Sequence, residues 1–154
     1  MYTKQEVSKL KQAFWTSFGK YMKPILSADG ETISWSNYKT GISGISFKMD
    51  ADNRNASIAI IISPTDPALH KAFYNQFLLH KGMLAASLGE DNWQWEAETT
   101  DEYGRDISKI SKQLDNISVL RAEDWPDIIS FFKPRIMALD EFWSMAKYAF
   151  ESVM

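Results

Sequence analysis

The stretch Ser57-Ile58-Ala59-Ile60-Ile61-Ile62-Ser63, followed at once by Pro64-Thr65-Asp66-Pro67, decides the fold. In an extended chain Ile58, Ile60 and Ile62 share one face, while Ala59 and Ile61 share the other, so both faces are apolar. A central strand is predicted. Asp66 accepts from first-turn amides and Pro67 has no amide to leave unpaired, so a helix starts directly after it. Its core stripe is Leu69, Phe73, Phe77, Leu84 and Leu88, with Gly89 as the left-handed stop.

Upstream of this strand, Ile45, Phe47 and Met49 alternate with Ser46, Lys48 and Asp50, and Asp52-Asn53-Arg54-Asn55 supplies the turn between the two. Further back, after Asp29-Gly30, Ile33 and Trp35 alternate with Ser34, Ser36 and Tyr38, which predicts another strand before the Thr40-Gly41-Ile42-Ser43-Gly44 connection. The chain opens with Thr3-x-x-Glu6, a capping box, and a helix to about Lys23 carrying Val7, Leu10, Phe14, Phe18, Tyr21 and Ile25 as its stripe. Pro24 ends it.

Downstream of the second helix, Trp93 and Trp95 alternate with Gln94, Glu96 and Glu98 as a fourth strand, and a fifth runs from Asp106 to Leu114. Asp124 is the expected cap of a last helix with Trp125 and Pro126 in its first turn. Its stripe is Ile129, Phe132, Ile136, Leu139, Trp143, Ala146, Phe150 and Val153, and Pro134 should kink or break it. The expected fold is therefore one α+β domain over residues 1–154, with a mainly antiparallel sheet of about five strands and three helices. The order is helix, three strands, helix, two strands, helix.

Of the 154 residues 45% are hydrophobic and 14% aromatic, too many for a disordered chain. The absence of Cys removes disulfides, thiolate nucleophiles and zinc fingers, and fits a reducing cytoplasm. The first residues are charged where a signal peptide needs an apolar run, and no segment approaches the ~20 apolar residues of a membrane span. A cytoplasmic protein is expected. A net charge of −3 argues against phosphate neutralisation as its main task.

Chemistry-bearing patterns are sparse. His70 and His80 are ten positions apart on the predicted second helix, about 15 Å along its axis, too far to share a metal. Glu90, Asp91, Glu96, Glu98, Asp101 and Glu102 lack calcium-loop spacing and fit a solvated hairpin. Gly41-x-x-Gly44 lies between strands and precedes no helix, so it is turn chemistry rather than a phosphate loop. The helix–three-strand–helix–strand start is similar in order to PD-(D/E)xK nucleases. Asp50 or Asp52 would have to supply the first acid, but the Ser57–Ile62 strand holds neither carboxylate nor Lys, so their metal site cannot be assembled. No catalytic set, metal site or cofactor is predicted; Trp15, Trp35, Trp93, Trp95 and Trp143 are assigned to the core, and Trp125, in the opening turn of the last helix, to a wedge against a neighbouring element.

The informative surface is the second face of the sheet. Strand phase gives it Ser34, Ser36, Tyr38, Ser46, Lys48, Asp50, Ala59, Ile61, Gln94, Glu96 and Glu98, polar with a weakly apolar centre. Tyr38, Lys48, Ile61 and Glu96 are the candidate partner-binding residues.

Phe14-Trp15, the Trp35–Tyr38 segment followed by Gly41 and Gly44, Trp93-Gln94-Trp95-Glu96 after Leu88-Gly89, and Asp124-Trp125-Pro126 opening a helix that reaches Phe142-Trp143 resemble the domain of unknown function 4268 family of bacterial proteins. The resemblance spans nearly the whole chain. It implies an accessory role beside nuclease-like domains and supplies no catalytic residue. At the level of length, acidity and element order the chain is also similar to the small dimeric type III secretion chaperones.

The leading expectation is a non-catalytic interaction module that binds a protein partner or a second copy of itself. The alternative is an accessory domain in nucleic-acid transactions whose first helix sets Lys4, Lys9, Lys11, Lys20 and Lys23 against phosphate. A third is a small-molecule site between the sheet and the last helix.

Overall fold

The computed structural model describes residues 1–154. Helix α1 (Lys4–Met22) starts with the reciprocal cap: Thr3 Oγ1 accepts from the Glu6 amide at 3.1 Å, and a Glu6 carboxylate oxygen accepts from the Thr3 amide at 3.3 Å. Phe14, Phe18 and Met22 are fully buried along it. Met22 takes the core place expected of Tyr21, which lies exposed beneath Lys133, 5.2 Å from its ring centre. Both positions flank the Phe14–Phe18 line, and the last turn leans toward the later one.

The expected strand over Ile33–Tyr38 does not form. Residues 23–44 hold no helix or strand. Ser34 Oγ takes the Asn37 amide at 3.3 Å, the side-chain competition that turns a backbone away from a ladder. The aromatic side chains from both predicted faces turn to the core: buried Trp35 donates its indole N–H to the Ile25 carbonyl at 2.9 Å, and Tyr38 stacks on Phe47 with ring centres 5.3 Å apart. Alternation here marks aromatic anchors on an irregular chain, not a pleat. Gly44 then admits the chain to the sheet, because its φ is +89° and a Cβ would stand 2.8 Å from the Pro64 Cα.

The sheet has four strands: β1 (Ile45–Ala51), β2 (Asn55–Ile62), β3 (Gln94–Thr100) and β4 (Asp106–Asp115), ordered β1-β2-β4-β3 and antiparallel throughout. As the isoleucine run requires, β2 lies inside the sheet. Phe47, Ile58, Ile60, Ile62 and Ile110 are buried on the helix-covered face.

Four α-helices replace the three expected. The predicted second helix is broken into α2 (Pro67–Leu79) and α3 (Lys81–Leu88) at His80, whose backbone leaves the helical region at φ −99°, ψ 14°. The His80 ring Nδ1 donates to the Gln76 carbonyl at 2.8 Å, beside the backbone donor to that oxygen, and Gly82 just beyond lowers the resistance to a bend. Gly89 caps α3 in the left-handed region, φ 70°. A 3-10 turn, Ala122–Asp124, leads into α4 (Trp125–Glu151). Asp124 does not cap α4: its carboxylate accepts from the Ser118 amide at 2.9 Å and from Arg121, which secures the preceding loop instead. The helix is unbroken at Pro134. Ser130, whose carbonyl loses its partner there, is exposed, so water can take the bond.

One hydrophobic cluster joins α1, the 23–44 segment, the inner sheet face, α2, α3 and α4. No helix is long and apolar enough to cross a membrane.

Candidate functional site

The outer face of the sheet follows from the register. Ser46, Ile61, Lys109 and Glu96 lie in one row across β1, β2, β4 and β3, and Lys48, Ala59, Ser111 and Gln94 lie in the next. Ala59 and Ile107 are buried yet stand outside the main hydrophobic cluster, and both share the phase of half-buried Ile61. They form a small apolar centre. Toward the far end the same face opens into a hollow of about 520 Å³ whose lining, including Ser57, Gln94, Glu96, Lys109 and Gln113, contains no hydrophobic residue.

Three of the four predicted site residues, Lys48, Ile61 and Glu96, are thus brought onto one face. Glu98 loses its expected place there, because a bulge between Glu96 and Thr99 puts Thr99 in register with Ile107. Tyr38 is on the other side of the sheet, since its segment is not a strand.

Tyr38 belongs to a different arrangement. Its hydroxyl donates to Asp140 Oδ1 at 2.5 Å, while Asp140 Oδ2 accepts from the Ala28 amide at 2.7 Å. Asp140 is only 6% exposed, so one carboxylate on α4 holds two points of the irregular segment. Burial, then the hydrogen bond to Asp140 and its charge, then the Asp29 carboxylate push the phenol far above its ordinary value of 10.0. A phenol so reluctant to ionise serves as a donor and not as a base. Trp143 adds a third anchor through its indole N–H to the Thr40 carbonyl at 2.8 Å. Beside this staple lies a cleft of about 520 Å³ between residues 27–40 and the C-terminal half of α4, lined by Lys39, Lys147, Asp29 and Glu31 among others. The cavity expected between sheet and last helix is instead filled by core side chains.

His70, on α2, meets a partner that nothing in its neighbourhood announced: its Nε2 is 2.7 Å from Ser108 Oγ. The pair is not a nucleophile and base. Ser108 gives its single proton to the Ala97 carbonyl at 2.5 Å, so His70 Nε2 carries the hydrogen between them. Ser108 is moreover 1% exposed. The bond ties α2 to β4, and the Ser108 hydroxyl continues the tie to Ala97 in the β3 bulge.

A second tie joins α4 to the α3–β3 connection. Arg135 donates to both Glu90 oxygens at 2.9 and 3.1 Å, and the Trp93 indole donates to Glu90 Oε1 at 2.8 Å. Partial burial alone would raise the Glu90 pKa, but the bonds from Arg135 and Trp93, with the charges of Arg135 and Lys112, hold it below its ordinary 4.5.

No three or more His, Cys, Asp or Glu side chains converge to hold a metal. Asp140 had a legible signal, an acid between Leu139 and Trp143 on an apolar stripe. Arg135–Glu90 had none, because 45 residues separate the partners.

A family profile described as Domain of unknown function (DUF4268) matches residues 10–147. No curated protein and no solved structure matches the chain.

Proposed function

We propose that this chain, which belongs to the Domain of unknown function (DUF4268) family, is a non-catalytic interaction module that docks a protein partner on the outer face of its sheet. The observation that carries this reading is the division of β2: Ile58, Ile60 and Ile62 enter the core, while Ala59 and Ile61, with Ile107 of β4, form an apolar centre of opposite strand phase that stands outside the main hydrophobic cluster. Lys48, Lys109 and Glu96 surround that centre, the apolar-core and polar-rim order of non-obligate interfaces. The polar contacts of Tyr38, Asp140, His70, Ser108, Arg135 and Glu90 are each satisfied within the fold, which supports reading them as ties rather than as reactive groups.

The test compares proteins captured by the parent and by Ile61→Glu, with folding of both checked by circular dichroism. A specific partner lost with Ile61→Glu supports the reading. An unchanged capture profile contradicts it.

A second reading has one observation in its favour. Lys9, Lys20 and Lys23 are exposed within one sector of α1, whereas Lys11 is engaged with Asp52 at 3.6 Å. As a nucleic-acid accessory domain the chain would shift labelled DNA or RNA at low salt, and Lys9→Glu with Lys20→Glu would remove the shift. No shift at low salt ends that reading.

A further inference from the structure

We propose that two copies of this chain associate through the α2–α3 elbow, Leu79 of each copy entering an apolar slot of the other while Lys81 meets Asp91 across the two-fold axis. The elbow sits where His80 breaks the helix, and it leaves Leu79 with 77% of its surface in water. Immediately beyond, a slot of about 340 Å³ is walled by Gly82, Ala85 and Leu88 of α3 and by Trp93 and Trp95. A Cβ at Gly82 would meet nothing within 4 Å, so the slot is open at the helix surface. An exposed aliphatic knob at the end of α2 and an unfilled apolar hole beginning at Lys81 of α3 thus lie on either side of the His80 break.

That adjacency suits an isologous contact, in which residue i facing residue j requires j to face i. The charges on the lips of the slot select the same partner. Lys81, whose ammonium lies 5.0 Å from the Trp95 ring centre, and Asp91 stand at the same slot, and neither makes an ion pair within the chain. One unpaired cation and one unpaired anion beside each hole become two cross-axis pairs when a second copy is turned onto it. The proposal is independent of the sheet-face reading, and a dimer formed in this way leaves both outer sheet faces free.

Sedimentation equilibrium of the full chain over a concentration series tests it. The parent should reach twice the chain mass. Leu79→Asp should raise the dissociation constant by at least ~10-fold. Gly82→Leu should do the same by filling the hole, yet melt no lower than the parent, because glycine is the weaker residue in a helix. Lys81→Asp and Asp91→Lys should each weaken the dimer, and the two together should return it to within ~3-fold of the parent. A parent that is monomeric throughout overturns the proposal. So does a dimer indifferent to Leu79→Asp and Gly82→Leu, including one dissociated by Ile61→Glu instead, which would move self-association to the sheet.

Discussion

Ile60 and Ile61 are neighbours on one strand with the same side chain and opposite situations. Ile60 is fully buried in the hydrophobic core, while Ile61 has the opposite strand phase and is half-buried in register with Ser46 and Lys109. Composition cannot separate them; only the two-residue period of the strand does. On the inner face the apolar side chains fill the core, and on the outer face they are confined to a small centre of Ala59, Ile61 and Ile107.

The largest expected effect comes from breaking the inner side. Ile60→Ala should destabilise the protein by ~2–5 kcal/mol, because a void would open in the hydrophobic core, measured by urea denaturation. Ile61→Ala should change stability by less than about 1 kcal/mol in the same assay. Equal losses would mean that the outer face is also core.

The next effect tests whether the polar ties belong to the inner, structural side. Tyr38→Phe leaves the buried Asp140 carboxylate with only the Ala28 amide, and should cost ~1–3 kcal/mol. The sign of its pH dependence is fixed by the raised phenol pKa. The folded state keeps the proton, so the stabilisation is full below the ordinary value of 10.0 and is lost as the pH rises above it, where the unfolded chain ionises first. Denaturation midpoints from neutral to strongly alkaline pH should therefore fall faster in the parent than in Tyr38→Phe. Parallel curves would contradict the assignment.

Glu90 gives a smaller effect in the opposite direction. Its pKa is held below 4.5, so its contribution is full above that value and is lost as the pH falls through the lowered folded pKa. Glu90→Gln should flatten the acid limb of stability against pH and cost ~1–2 kcal/mol at neutral pH, since both partners are partly solvated. An acid limb identical to the parent's would remove Glu90 from the set of structural ties.

The contrast between the two isoleucines also shows what can be read before folding. The Ser57–Ser63 run, the Thr3–Glu6 capping box and Gly89 are legible because each is settled by contacts within a few residues or by strict periodicity. Ile33–Tyr38 obeys the same period and is no strand, because its aromatic side chains are anchored by partners far along the chain: Trp35 on Ile25, Tyr38 on Asp140. The break at His80 depends on a ring nitrogen reaching a carbonyl one turn back, which residue type alone does not announce. Among the candidate site residues Lys48, Ile61 and Glu96 keep a common face because true strands carry them, and Tyr38 leaves it because no strand does. The Ser108–His70 and Arg135–Glu90 pairs are tertiary, separated by 38 and 45 positions, and no local pattern encodes them.

Measuring Ile61→Glu twice, for unfolding free energy and for partner capture, tests the proposal that the outer face of β2 serves binding and not folding. A variant as stable as the parent to within about 1 kcal/mol that no longer retains the partner is the expected result. A variant that unfolds, or one that is stable and captures as the parent does, would contradict the claim.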